Sequence, residues 1–345
     1  MKKRVSFDFI FNTIIIIFIL IALLIIFFLF FINKPVLLCN DGTNYNQCLK
    51  IKPYFCSNGN IIKNNSFCGC SNISTVQGSE CFSNYQYNPK NITLNYTLNG
   101  KFGEINFVVY KKLADYLSKL PRYMQYNSSE RSVLLDFKLR SLDNEEQNQL
   151  LLPLVIAIQN LTSNKDDQAR IAISVVQNIP FGSSNKTLNF AGLAIDYYRY
   201  PYEVLYDLQG VCGEKSELLA VLLREIGYSS AFIYYKPENH EALGIKCPMQ
   251  KSLNNSGYCF IETTGPAIIT DYQTGYVGIG QLKSTPQIIP IPDGDIIFGQ
   301  NSFYEYDDTK ILDVIRQRDI DYGTINFIQH LQFQELKKKY GLAGF

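Results

Sequence analysis

The chain has 345 residues, with 32 Lys and Arg against 31 Asp and Glu, and no basic stretch resembles a nucleic-acid face, so nucleic acid is excluded as a partner. Its length and composition suit a membrane anchor, a small module and one sizeable domain. The two histidines form no His-x-x-x-His pair, so neither a metal nor a cofactor is expected.

Residues 1–33 read as an N-terminal signal anchor. Met1-Lys2-Lys3-Arg4 precedes a run, 14–32, that contains no polar residue. At about 1.5 Å per residue such a run just spans a hydrocarbon core of roughly 30 Å. Bulky Ile, Leu and Phe continue to its end with no small-x-small cleavage signal before Asn33, which favours an uncleaved transmembrane helix over a cleaved signal peptide. The cationic start places the N-terminus in the cytoplasm and the rest of the chain outside, as a single-pass protein of the cell membrane.

Residues 36–85 hold six of the nine cysteines, Cys39, Cys48, Cys56, Cys68, Cys70 and Cys81, among turn residues and few aliphatic ones. So short a segment buries too little apolar surface to fold unaided, and three disulfides would supply the missing constraint. Six cysteines allow fifteen connectivities, and the spacing does not choose among them. Zinc is the rival explanation; it is disfavoured because no Cys-x-x-Cys pair is present and the expected compartment is oxidising. Eight sequons fit an extracytoplasmic glycoprotein: Asn64, Asn72, Asn91, Asn95, Asn127, Asn160, Asn185 and Asn254.

Residues 86–99 read as a linker, and 100–345 as the main domain. Asn106 is a candidate cap for a helix with Val109, Leu113, Leu117 and Leu120 on one face, ended by Pro121. Asp143 and Glu146 make a capping-box pattern before a second helix, kinked or restarted at Pro153. Ser163 or Asn164, with Asp166 and Asp167 in the first turn, opens a third that stops before Pro180. A short turn of helix at Pro201–Tyr206 then leads to Gln209.

From Gln209 to Gly227 the pattern changes from scaffold to chemistry. Leu218, Leu219, Leu222 and Ile226 recur at helical spacing, Gly227 is a natural stop, and Cys212 falls where the helix begins. Backbone N–H groups without intrahelical partners surround a first-turn side chain, and their partial positive charge favours a thiolate there. Glu214 is read as a structural first-turn acid. A thiolate needs a base. His330 lies in a late amphipathic segment with Ile325, Ile328, Phe333 and Leu336 as the buried face, which makes it a solvated surface residue. His240 instead opens a strand, after the strand-like run Ala231–Tyr235, and the following strand, from Gly257, ends at Glu262. Helix, strand and strand thus present Cys, His and Glu in the order nucleophile, base and orienting acid.

Cys247 and Cys259 stand at odd intervals from His240 and Glu262. In regular strands they share the opposite face, where a cross-strand disulfide can close the hairpin and leave Cys212 as the free thiol. A bulge would undo this parity. After Pro266 come short strands limited by Pro286, Pro290 and Pro292, a Tyr- and Asp-rich turn with Asp307 and Asp308, and a helix near 324–340.

The Gly-Val-Cys-Gly-Glu helix start, the strand-opening His240 and the Glu262-Thr263-Thr264 turn resemble the transglutaminase-like superfamily of papain-related cysteine enzymes, in its membrane-anchored archaeal form. The six-cysteine segment likewise resembles small modules of archaeal surface proteins. The resemblance covers about residues 100 to 345, with specific motifs only between Tyr200 and Pro266. It implies an α+β fold, with a helical layer that includes the cysteine helix packed on an antiparallel sheet. It maps Cys212 to the nucleophile, His240 to the base, and Glu262 to a position where most relatives carry Asp. Thr263 replaces the usual Pro, and the Trp that often follows the His is absent. Tyr202 and Gln209 become candidates for an oxyanion hole. The activity implied is acyl transfer on a protein or peptide substrate at the cell surface, by hydrolysis or transamidation. The alternative is a binding or assembly module that keeps the fold without turnover.

Overall fold

The structure, a computed structural model, describes residues 11, 14–24, 37–78, 80–124, 133–190, 192–273, 275–276, 280–292 and 294–342. Residues 14–24 form an exposed apolar helix, α1. The rest of the expected span, 25–32, lies outside the described residues, as does the Asn127 sequon. No helix among the described residues is long and apolar enough to cross a membrane.

The cysteine-rich segment forms two small hairpins, β1 (Tyr54–Ser57) with β2 (Asn60–Lys63) and β3 (Ser74–Gln77) with β4 (Glu80–Ser83), separated by a single turn of helix, α2 (Asn65–Cys68). Cys39–Cys56, Cys48–Cys68 and Cys70–Cys81 are its disulfides. The module is docked on the main domain. The Asn160 amide bonds both backbone groups of Ile61 at 3.0 Å, and Asn40 donates to the Gln159 carbonyl at 2.8 Å. Two sequon side chains are therefore already engaged: Asn160 in this contact, and Asn64 as the N-cap of α2.

The segment expected as a linker is a strand. β5 (Pro89–Leu98) pairs along its whole length with β6 (Lys101–Tyr110), and Ile92, Leu94, Ile105, Phe107 and Val109 bury alternate positions. Asn99 and Gly100 both take positive φ, the turn that matches the twist of a two-residue hairpin. Asn106 is accordingly no helix cap: it lies mid-strand opposite Thr93, and α3 (Lys111–Leu117) starts later. Period-two burial overrides a capping side chain here.

Four further helices precede Cys212: α4 (Leu134–Leu142), α5 (Glu145–Leu161), α6 (Lys165–Gln177) and α7 (Pro201–Asp207). Asn144, not Asp143, caps α5, while Asp143 closes α4 and pairs with Arg224 at 2.7 Å. Pro153 sits inside an uninterrupted α5, and Asn164 caps α6. Between α6 and α7 a small hairpin, β7 (Thr187–Phe190) with β8 (Leu193–Asp196), projects at the surface.

The central element is α8 (Cys212–Ile226), ended by Gly227 in the left-handed conformation at φ 111°. It packs on α4, α5, α6 and α7 on one side and on the sheet on the other, so its burial goes well beyond a leucine stripe. The sheet is antiparallel, in the order β11 (Tyr258–Ile261), β10 (His240–Lys246), β9 (Ser230–Tyr235), β14 (Gln287–Pro290). Ile245 faces Cys259 across the β10–β11 ladder, and a Cys247–Cys259 disulfide closes that hairpin. β12 (Gly275–Tyr276) and β13 (Gly280–Gln281) form a small excursion before β14.

The Tyr- and Asp-rich turn expected near residue 307 is the start of a helix, α9 (Tyr304–Tyr322), antiparallel-linked to α10 (Phe327–Tyr340). Asp308 is not a solvated turn residue but pairs with Lys339 at 2.6 Å and also accepts from the Tyr340 hydroxyl. Phe333 and Leu336 bury the inner face of α10, while Ile328 is exposed, contrary to the periodicity.

Leu219 is wholly buried between the two layers and Val314 is largely exposed on α9. Leu219→Ala is expected to lower unfolding free energy by about 2–5 kcal/mol, and Val314→Ala by no more than about 0.5 kcal/mol. Urea unfolding of the two variants checks the assignment of α8 as the core element.

Candidate active site

The path into Cys212 is built by close approach. Leu208 ends α7 in the left-handed conformation, and Gly210 then exchanges backbone hydrogen bonds with Pro180 and Gly182. A Cβ on Gly210 would lie 3.0 Å from Lys215 Cγ and 3.1 Å from Val204 Cγ1, so a larger residue would have to displace one of them. Gly213 is tighter still, with the Tyr198 hydroxyl 2.7 Å from where its Cβ would stand. Glycines flank Cys212 because backbone and buried polar groups meet there.

Arg199 organises that loop, and no motif in the sequence marks it. Its buried guanidinium bonds Asp207 at 2.8 Å, Glu214 at 3.0 Å, the Gly182 carbonyl at 3.2 Å and Gln209 Oε1 at 3.2 Å. Glu214 also accepts from the backbone N–H groups of Arg199 at 2.7 Å and Val211 at 3.0 Å, which satisfies a donor at the N-terminus of α8. Burial pushes the Glu214 carboxyl above its ordinary range, and these hydrogen bonds oppose the shift. Glu214 is thus a structural acid whose charge Arg199 offsets.

Behind Gly213 lies a second buried network. Lys138, on α4, reaches Glu217 at 2.8 Å, Glu241 at 3.0 Å and the Tyr198 hydroxyl at 2.7 Å. Burial lowers the Lys138 pKa, but the two carboxylates outweigh it and hold the ammonium charged. This network joins α4, α8 and β10, the elements on either side of the Cys–His gap.

Three residues meet at the end of the sheet. Cys212 is half-buried and is the free cysteine among the described residues. His240 has no exposed surface, and its Nε2 lies 2.9 Å from Glu262 Oε2. Burial alone would lower the His240 pKa; hydrogen bonds to Cys212 and to Glu262, with the negative charges behind them, reverse this and raise it to about 10. The raised value favours the protonated imidazole, with Nε2 facing the carboxylate.

The extra methylene of Glu262 is accommodated by a backward fold. Oε1 accepts from Thr263 N at 3.0 Å, Thr264 N at 2.8 Å and Thr264 Oγ1 at 2.6 Å, which leaves Oε2 for the imidazole. The Thr263 hydroxyl donates to the Cys212 carbonyl at 3.3 Å and so joins this turn to α8. Thr263 and Thr264 stand in the motif quoted from the sequence, but their roles depend on a turn that no periodicity specifies.

The oxyanion candidates separate. Tyr202 is wholly buried and its hydroxyl accepts from Tyr110 N at 2.7 Å, so it has no place in the site. The buried face of α7 simply needs an aromatic residue there. Gln209 is half-buried with Oε1 fixed by Arg199, which leaves its amide nitrogen as a donor beside the loop. His330 is exposed on α10. Among the described residues no group of three or more His, Cys, Asp or Glu is placed to hold a metal ion.

No family model and no curated protein matches the chain. Among solved structures it is similar to Legionella pneumophila LapG at a TM-score of 0.25 and 12% identity, covering 55% of this chain and 99% of that one. It is similar to calcium-bound Legionella pneumophila LapG at a TM-score of 0.23 and 14% identity, covering 48% and 96%.

Glu262→Gln removes a charge that holds the His240 proton, so the imidazole should titrate about 1–3 units lower, as for loss of an adjacent opposite charge. Because the folded pKa is raised, the pairing stabilises the protein fully below about pH 6.5, the ordinary histidine value. That stability is lost as pH climbs through about 10. The melting temperature of the Glu262→Gln variant should therefore lie furthest below wild type near pH 6 and approach it above pH 10. Thermal melts across that range check the sign.

Proposed function

We propose that the chain is a cysteine acyl-transfer enzyme, of the transglutaminase-like kind that its motifs resemble, held outside the cell membrane by a single N-terminal span. The observation that carries the reading is the buried His240 imidazole, held by Glu262 at 2.9 Å and coupled electrostatically to the free, half-buried Cys212. A core histidine without catalytic duty does not require a half-exposed thiol among the groups that set its charge and a four-times-bonded carboxylate on one nitrogen. The substrate class that suits such a pair is a peptide or carboxamide carbonyl on a protein at the cell surface.

The Cys212 sulfur attacks the carbonyl carbon and forms a C–S bond, while negative charge moves to the carbonyl oxygen. Backbone N–H groups at the start of α8, with Gln209 as a side-chain donor, are the groups able to meet it. Collapse of the tetrahedral intermediate breaks the C–N bond, and the departing amine takes the proton held by His240. A thioester on Cys212 and neutral imidazole result. Water attacking that thioester, with His240 accepting its proton, gives the acid and regenerates the pair. A primary amine attacking in the same way gives a new amide. Glu262 keeps the imidazole in one orientation throughout. Hydrolysis is favoured over crosslinking for an enzyme in this setting, where water is in excess.

Incubation of the full chain with a peptide library, with and without excess primary amine, is read by intact and fragment mass. Cleavage products or amine adducts are expected from the wild type and none from Cys212→Ala, with His240→Ala slowed by about 10²–10⁴-fold. Equal products from wild type and Cys212→Ala would overturn the assignment, as would an absence of products together with an unreactive Cys212 in the folded chain.

A further inference from the structure

The turn that carries Glu262 is not fixed by the sheet. The β10–β11 ladder runs from Lys246 opposite Tyr258 to Leu243 opposite Ile261, so both His240 and Glu262 fall beyond its end. Something other than strand pairing must set the distance between them.

Two buried side chains are placed to do so. Gln177, the last residue of α6, donates its amide to the Glu262 carbonyl at 2.9 Å and the Ala267 carbonyl at 3.1 Å, at either side of the turn. Lys215 has no exposed surface and stands one helical turn beyond Cys212 on α8. Its ammonium reaches the Thr264 carbonyl at 3.2 Å, in the middle of the turn, the Ile179 carbonyl at 2.5 Å and the Gln177 carbonyl at 3.4 Å. A buried ammonium is costly, and a methionine would fill the same space without that cost. Burial pushes Lys215 down to about 7, with the Glu262 charge opposing the shift. All three of its donors go to main-chain carbonyls, so its task here is to hold backbone.

We propose that Gln177 and Lys215 are positioning residues that clamp the 262–267 turn against the cysteine helix and so deliver the Glu262 carboxylate to His240. The clamp ties α6, α8 and the end of β11 into one unit, and neither residue touches the reacting atoms. The inference rests on Cys212 and His240 being the reactive pair. Its test reads the imidazole directly and so succeeds or fails whether or not turnover is found.

Because the chain has two histidines, histidine-labelled full-length protein gives two imidazole signals by NMR. The groups that set the titration of His240 are Cys212 from α8, Glu262 from the turn and the neighbouring Glu241. Gln177→Met keeps volume and charge and removes both amide donors. It is expected to lower the His240 midpoint by about 1 unit or more and to speed exchange of the Nε2 proton with water about tenfold, with His330 unmoved. Lys215→Met should give the same faster exchange, read without the midpoint because the charge itself is removed. If the methionine variant at 177 does not fold, Gln177→Asn, one methylene too short to bridge both carbonyls, is read in its place. A merely structural role would lower the melting temperature and leave the His240 signals as in wild type. That result in any of the folded variants would overturn the proposal.

Discussion

Everything near Cys212 follows from burying charge. Removing an ion from water costs several kcal/mol even after the protein relaxes, and only close partners with hydrogen bonds to spare repay it. The first turns of α8 bury Glu214, Lys215, Ser216 and Glu217 in succession, and each is answered by a different part of the chain. Arg199 answers Glu214, main-chain carbonyls answer Lys215, Thr263 meets Ser216 at 3.2 Å, and Lys138 answers Glu217. The helix start cannot shift without stranding one of these groups, so the sulfur is held by its neighbours' electrostatics as much as by the leucines beneath.

Those leucines supply the opposing constraint. Leu218, Leu219, Leu222 and Leu223 are wholly buried between helices and sheet. Each full burial is worth about 1.5–3 kcal/mol, which offsets the cost of a polar helix end. The sheet in turn brings His240 and Glu262 to the same end of adjacent strands, and the Cys247–Cys259 disulfide closes the other end of that hairpin. Anchored there, β10 and β11 leave the His240 end to be set by the turn and its hydrogen bonds.

The sequence made some of this legible and concealed the rest for physical reasons. That Cys212, His240 and Glu262 would be brought to one place could be read because few residue types suit such a group and the chain contains only two histidines. The Cys247–Cys259 pair could be read because strand parity is strict where no bulge intervenes. By contrast, β5 hid behind asparagines and threonines that resemble a linker, although its Ile92 and Leu94 alternate as a strand requires. α9 hid behind acids whose partners, among them Arg170 for Glu305 and Lys339 for Asp308, come from distant segments. Arg199, Lys138, Gln177 and Lys215 were invisible for the same reason, since their roles exist only once remote carboxylates and carbonyls surround them. Tyr202 misled because a buried tyrosine beside the Cys212 loop looks the same in sequence whether its hydroxyl faces a substrate or, as here, a backbone N–H.

The most direct measurement is the rate of Cys212 alkylation by iodoacetamide at pH 6.5 in the full chain, wild type against His240→Ala. If the imidazolium holds the sulfur as a nucleophile, labelling is confined to Cys212 and slows by at least about tenfold when the imidazole is removed. Equal rates in the two folded proteins would contradict the account, because Cys212 would then owe nothing to His240.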